Sequence, residues 1–354
     1  MKTFLISLAE TYFLAFIGGS LFYICSLPIP WILGPMTTII IWKSWSKRRV
    51  LMPRPVYNGG LITLGIYFGL SFTASTFTTV IPYIIPYILT TILLLSISII
   101  SSLLVCKLIN VDPITSVFGS IPGGLSEMVA ASESLKANTA MVTIFQTVRL
   151  LTVVFLVPFL VIKFFPSYPT EDTFTTSMQN SQSSFNYLWF ILPVLTGYAI
   201  RNVVPAAYVM GPLAITALLN IIGVSLPYVP SLFLIIAQVT VGVSMGSRIS
   251  LADLKIGGKY CGFYFVLTLV IIATSFGIGY LFTMFSDLTL STAILSLAPG
   301  GLVEMVLTAT SIGADPAVVS SLQLIRILFI IIFVPTTLKW IFTKKKKTPL
   351  VNRA

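Results

Sequence analysis

Ile121-Pro-Gly-Gly-Leu-Ser-Glu-Met-Val129 recurs as Ala298-Pro-Gly-Gly-Leu-Val-Glu-Met-Val306, half a chain length further along a sequence of 354 residues. The same offset pairs Gln146 with Gln323, Arg149 with Arg326 and Pro158 with Pro335. Upstream it pairs Pro28, Gly34 and Pro35 with Pro205, Gly211 and Pro212, and Gly65 and Gly69 with Gly242 and Gly246. One shared Pro-Gly-Gly arises by chance. A series held at one spacing of half the chain reads as an internal duplication.

Composition sets the solvent around that repeat. Hydrophobic residues make up 56% of the chain and charged residues 9%, with a mean hydropathy of +1.00, against roughly 25% charged in a soluble domain. Such a chain cannot cover a soluble core with charge. Its apolar residues run in long blocks rather than the short alternating strands of a membrane β-barrel, so an all-α integral membrane protein is expected. Blocks near 4–25, 29–42, 57–80, 84–108, 112–135 and 139–164 form the first half. Those near 187–204, 208–224, 231–249, 261–285, 288–311 and 317–342 form the second. The polar stretch around 166–186, with Glu171 and Asp172, cannot span lipid and reads as an extramembrane linker. The chain then divides into repeat 1 (1–165), linker (166–186), repeat 2 (187–343) and a basic cytoplasmic tail (344–354). The first block is expected to be retained rather than cleaved as a signal peptide. Cys25, Cys106 and Cys261 are isolated and read as small apolar packers.

Lys and Arg gather in cytoplasmic loops and so orient the halves. In the first half Lys43, Lys47, Arg48, Arg49 and Arg54 fall between blocks two and three, whereas the matching loop near Leu226 to Pro230 has no basic residue. There the charges, Lys255 and Lys259, have moved to the next loop, while the first half's own loop there, Phe72 to Pro86, is uncharged. Opposite orientations follow, with an odd number of crossings per half. Lys2, Lys107, Arg201 and the run Lys344 to Lys347 then lie inside and Glu171, Asp172 and Asp287 outside, with Lys163 discordant. The fifth segment supplies the irregularity, because Pro122, Gly123 and Gly124, like Pro299, Gly300 and Gly301, interrupt a helix. About ten full crossings plus two re-entrant or broken segments result, with both termini cytoplasmic. Broken backbone at membrane depth survives where protein or a water-filled cavity surrounds it, and inverted repeats with discontinuous helices recur in secondary transporters.

Glu127 and Glu304 follow the breaks, in the first turn of the next arm. There a carboxylate either caps the helix or serves as a substrate or ion site. Gln146 and Arg149 share one helical face, as do Gln323 and Arg326. The arginines either pair with the glutamates or bind an anionic substrate while the glutamines add hydrogen bonds. Asp112 and Asp287 read as helix caps, and Glu10 as a residue of the cavity or of the cytoplasmic end. The Gly-Pro segments at Gly34 and Gly211 predict a repeated distortion near the start of span two. The spacing of Gly65 and Gly69, like that of Gly242 and Gly246, reads as close helix packing, and for both features the alternative is a gate or hinge.

The duplicated Pro-Gly-Gly-Leu-x-Glu-Met and Gly-Pro segments resemble the AbrB membrane protein family, over about residues 5–345. Gln146, Arg149, Gln323 and Arg326 match its pattern, and the resemblance implies a duplicated six-segment unit. This family is distinct from the small soluble DNA-binding regulator of the same name. Its members have been labelled both ammonia monooxygenases and regulators of gene expression. The first label fits this chain badly, because it contains no histidine and oxygen-activating copper or iron usually needs imidazole.

The expected function is a secondary transporter of a small solute, with an organic anion favoured by the two arginines, driven by a proton or sodium gradient. No Walker motif points to ATP, and no catalytic site, cofactor or metal is expected. The alternatives are a membrane sensor or indirect regulator of gene expression, and a channel. Expected partners are lipids of a bacterial plasma membrane, the solute with its coupling ion, and a second copy in a homodimer. The net charge of +11 comes without a basic folded domain, so no direct nucleic-acid binding is expected.

Overall fold

The computed structural model describes residues 2–46, 48, 50–165, 184–204 and 206–346. Lys47, Arg49, Pro205, nearly all of the linker and the tail from Lys347 lie outside the described residues. Among the described residues there is no strand. Among them six helices are long and apolar enough to cross a membrane: Ile6–Ile24, Ala74–Ile109, Thr139–Phe164, Ser231–Arg248, Lys259–Thr283 and Pro316–Leu338. The protein is membrane-embedded and all-α.

The first half runs α1 (Lys2–Ile24), α2 (Pro30–Ser46), α3 (Arg54–Leu70), α4 (Ala74–Val80), a 3₁₀ turn, α5 (Ile84–Ile109), α6 (Pro113–Ser120), α7 (Leu125–Ser134) and α8 (Thr139–Phe164). A 3₁₀ segment, Ser184–Phe190, leads into α9 (Ile191–Ala199), α10 (Ala207–Ile221), α11 (Ser231–Arg248), α12 (Leu251–Gly257), α13 (Lys259–Thr283), α14 (Leu290–Leu297), α15 (Leu302–Ser311) and α16 (Pro316–Lys346). Both bounds of α14 and α15 stand at the repeat offset from those of α6 and α7.

Several expectations need correcting. The block at 57–80 ends as a helix at Leu70, and the supposed loop Phe72 to Pro86 is mostly helical. Thr73 and Thr76 form a capping box that starts α4, and Pro82 sits in the 3₁₀ turn, where its missing N–H costs little. The block at 187–204 holds only nine residues of α-helix. Asp287 is not a cap. Thr289, the counterpart of Asp112 in the second half, accepts from Thr292 N (3.4 Å), while Asp287 Oδ2 accepts from Tyr83 Oη at 3.3 Å. Asp112 does cap α6, accepting from Thr115 N at 2.9 Å. The repeated distortion lies just ahead of span two: Ile29 and Ala206 both have positive φ, 35° and 51°, a region that non-glycine residues enter rarely.

The helices sort into two layers. One contains α1, α2, α3, α9, α10 and α11, and the other is built on α5 to α8 and α13 to α16. Lipid tails are as apolar as leucine, so contact between helices depends on close backbone approach rather than on water exclusion. Gly18 and Gly34 bring α1 against α2; a Cβ on Gly34 would strike Gly18 O. Gly65 and Gly69 of α3 lie against Val209 and Leu213 of α10, and Gly242 and Gly246 of α11 against Ile32 and Met36 of α2.

The ends of these crossings are tied by side chains. Lys43 Nζ donates to Ser247 O (2.7 Å) and Ile249 O (3.1 Å) at the C-terminus of α11. Asn220 Nδ2 donates to Leu70 O (3.0 Å) and Phe72 O (2.7 Å) at the C-terminus of α3. Each satisfies carbonyls that a helix end leaves open. Asn220→Ala is expected to lower stability by about 1–3 kcal/mol, the cost of leaving such acceptors unmade, read as a fall in the thermal unfolding midpoint in detergent.

Candidate functional site

The fifth segment of each half is a hairpin of two short arms. α6 and α14 have eight residues and α7 and α15 have ten, so each arm is only about 12–15 Å long. The arms double back, because Asn138 N, after α7, donates to Thr115 Oγ1 in the first turn of α6 at 3.0 Å. Asp315 N and Thr292 Oγ1 repeat this at 3.2 Å. The Pro-Gly-Gly breaks therefore form the tips of two hairpins.

Each tip exposes carbonyls at the end of its first arm, and the Gln/Arg face of the following long helix meets them. Gln146 Nε2 donates to Phe118 O (2.6 Å) and Ile121 O (3.0 Å). Arg149 Nη1 donates to Ile121 O, and Nη2 to Gly123 O at 3.2 Å. In the second half Gln323 Nε2 donates to Leu295 O (2.7 Å) and Ala298 O (3.4 Å). Arg326 Nη1 donates to Leu297 O (3.2 Å) and Ala298 O, and Nη2 to Gly300 O (2.8 Å) and Gln323 Oε1. A cation at the C-terminal, negative end of a half-helix is favourable, and in hydrocarbon these donors replace the water that would otherwise bind the carbonyls.

Glu127 and Glu304 stand at the opposite pole, the third residue of α7 and α15. Their carboxylates fold back over the preceding glycines, so closely that a Cβ on Gly124 or Gly301 would overlap Oε2. Each break thus carries a guanidinium where its first arm ends and a carboxylate where its second begins. Neither glutamate ion-pairs with its arginine: among the described residues the one salt bridge is Arg48 to Glu10, 3.1 Å, which places Glu10 away from the tips. Glu304 is 4% exposed, whereas Glu127 is half-buried.

The two tips face one cavity of about 260 Å³, and every residue singled out at the breaks and the Gln/Arg faces lines it except Gln323. Gln323 stands behind the wall, bonded as described. Ala206 and Met245 line the same cavity and bring in the layer of α10 and α11. Sequence reasoning had no signal for them, since neither is polar. It also passed over Tyr87 and Tyr264, themselves related by the repeat offset, which tie the halves together. Tyr87 Oη donates to Ser296 O of α14 at 2.8 Å and Tyr264 Oη to Ser116 Oγ of α6 at 2.6 Å.

A family model described as "Transition state regulatory protein AbrB" matches residues 31–342. A Bacillus subtilis (strain 168) protein named "Uncharacterized protein YhjN" is 24% identical over 345 residues, covering 90% of this chain and 88% of the relative. An Escherichia coli (strain K12) protein named "Putative regulator AbrB" is 25% identical over 323 residues, covering 91% and 92%. No solved structure matches. The matched stretch takes in both hairpin tips and both Gln/Arg faces, and the chain belongs to the AbrB family, in its helical, membrane-embedded form rather than as a small soluble DNA-binding domain.

Proposed function

We propose that the protein is a secondary transporter of a small organic anion, built from inverted-topology repeats at 1–165 and 187–343. The observation that carries this reading is the single cavity shared by two broken helices at the meeting of two helix layers. Lys43 and Asn220, the same position in the two halves, support the inversion. Lys43 ties the C-terminal end of α2 to that of α11, and Asn220 ties the C-terminal end of α10 to that of α3. Only the short stretch 47–53 separates α2 from α3. If these neighbours run antiparallel, α2 and α10 point opposite ways. The Lys43 end, beside Arg48, Arg54 and Lys255, is then cytoplasmic, and the Asn220 end is outside. Five crossings and one re-entrant hairpin per half give ten crossings, with both termini inside the cell and the linker outside.

Alternating access follows from the layers. The α5 to α8 and α13 to α16 layer carries both tips, so its displacement against the other layer exposes the cavity to one side at a time. Two arginines and two glutamates leave the cavity formally neutral, and an entering carboxylate unbalances it. A coupling proton or sodium ion entering with it restores neutrality. Purified protein in liposomes is expected to show saturable uptake and counterflow of small carboxylates, accelerated by an inward proton or sodium gradient. No flux for any such solute under either gradient would sink the reading.

A sensor or indirect regulator is the second reading, favoured by the name of the Escherichia coli relative. It predicts ligand binding without counterflow.

A further inference from the structure

We propose that the two breaks, alike in sequence, are unequal in use: the first reads the ligand, and the ligand is a short aliphatic carboxylate with a hydrogen-bond donor, hydroxyl or ammonium, on the adjacent carbon. The inference rests on the cavity's being the solute site of the transport reading.

Both arginines keep a buried Nε without a partner, but in the second break the glutamine and the arginine are bonded to each other. Arg326 makes four described hydrogen bonds, the last from Nη2 to Gln323 Oε1. That bond satisfies the amide oxygen, Gln323 lies outside the cavity wall, and Glu304 is buried. In the first break the matching bond is missing. Arg149 Nη2 donates to Gly123 O alone, keeping a second N–H. Gln146 Oε1 is buried with no partner. The amide cannot be turned round to relieve this, because Nε2 already donates to Phe118 O and Ile121 O. Gln146 itself is fully buried, lines the cavity and leaves one acceptor unpaired, on the helix face that carries the Arg149 guanidinium with a donor to spare.

A donor and an acceptor left over three residues apart on α8, on residues that line the same cavity, define the ligand's polar end. Its carboxylate takes the spare N–H of Arg149 as a charge-assisted bond, and the neighbouring hydroxyl or ammonium donates to Gln146 Oε1. Apart from Glu127, Glu304 and Arg326 the rest of the wall is apolar, with Leu150, Val153, Val154 and Ile327 among its side chains. The cavity equals about nine waters at ~30 Å³ each, which suits a branched body of a few carbons. The breaks match residue for residue in sequence from Pro122 to Leu125 and at Glu127, Gln146 and Arg149, so the difference arises from packing.

The test is calorimetric titration of the full chain in lipid nanodiscs with three probes: 2-hydroxy-3-methylbutanoate, valine and 3-methylbutanoate. One or both of the first two are expected to bind at least about tenfold tighter than the third, the worth of one hydrogen bond to a buried acceptor. The winner separates hydroxyl from ammonium. Gln146→Met is expected to cut that preference below about threefold, and Gln323→Met to keep it. Equal affinity for all three probes, or none for any, overturns the ligand class without any variant having to fold. Equal loss of preference in both variants overturns the inequality of the breaks. Preferential binding without flux in liposomes removes the transport reading and leaves this inference standing; flux of carboxylates without the preference does the reverse.

Discussion

Replacing Arg326 with alanine is expected to abolish a stable fold. The guanidinium holds Leu297 O, Ala298 O, Gly300 O and Gln323 Oε1, and Arg326 is 4% exposed. Alanine leaves Leu297 O, Gly300 O and Gln323 Oε1 without these donors, while Ala298 O keeps those of Gln323 Nε2 and Gly300 N. At ~1–3 kcal/mol for each unmade acceptor the loss is roughly 5 kcal/mol or more, comparable to the ~5–15 kcal/mol that keeps an ordinary domain folded. Size-exclusion profiles and thermal unfolding in detergent measure it. Lysine keeps the charge but not the planar fork, so Arg326→Lys is expected to recover only part of the loss. A monodisperse Arg326→Ala protein unfolding within a few degrees of wild type would show that the arginine is not what holds the tip.

The second large effect is expected at the crossings between the halves. A Cβ on Gly65 would lie 2.5 Å from Val209 O, and one on Gly242 would collide with Ile32 O, the same contact reflected between the halves. Backbone cannot yield as a flexible side-chain tip does, so leucine at either position must drive two helices apart. Gly65→Leu and Gly242→Leu are each expected to prevent assembly of a monodisperse protein, and to similar degree. Gly59, earlier on α3, has only open space within 4 Å of where a Cβ would stand. Gly59→Leu is therefore expected to be tolerated. Equal tolerance at Gly59 and Gly65 would show that the crossing is looser than its geometry.

Much of the molecule was legible because membrane chains write their constraints locally. Long apolar blocks, a Pro-Gly-Gly that no continuous helix accepts, and an arginine that hydrocarbon will not leave unpaired are readable one residue at a time. The break at Pro122 to Gly124 and the Gln146/Arg149 face came from that kind of reading. Elements near the ends were harder. Phe72 to Pro86 reads as an uncharged loop between two apolar blocks, although Thr73 caps a helix there. Asp287 drew attention by its charge, while the cap fell to the quieter Thr289.

Sequence alone determined the solvent, the helical class, the places where helices break and the polar residues that must serve those breaks, because each depends on the chemistry of a few neighbours along the chain. Tertiary structure decided what those residues touch. Both arginines turn to break carbonyls rather than to glutamates, the tips of two hairpins from opposite halves of the chain open into one cavity, and a missing bond distinguishes Gln146 from Gln323. Contacts of that kind join residues remote in the chain, and which hydrogen bond is left unmade depends on small differences in packing that residue types do not encode.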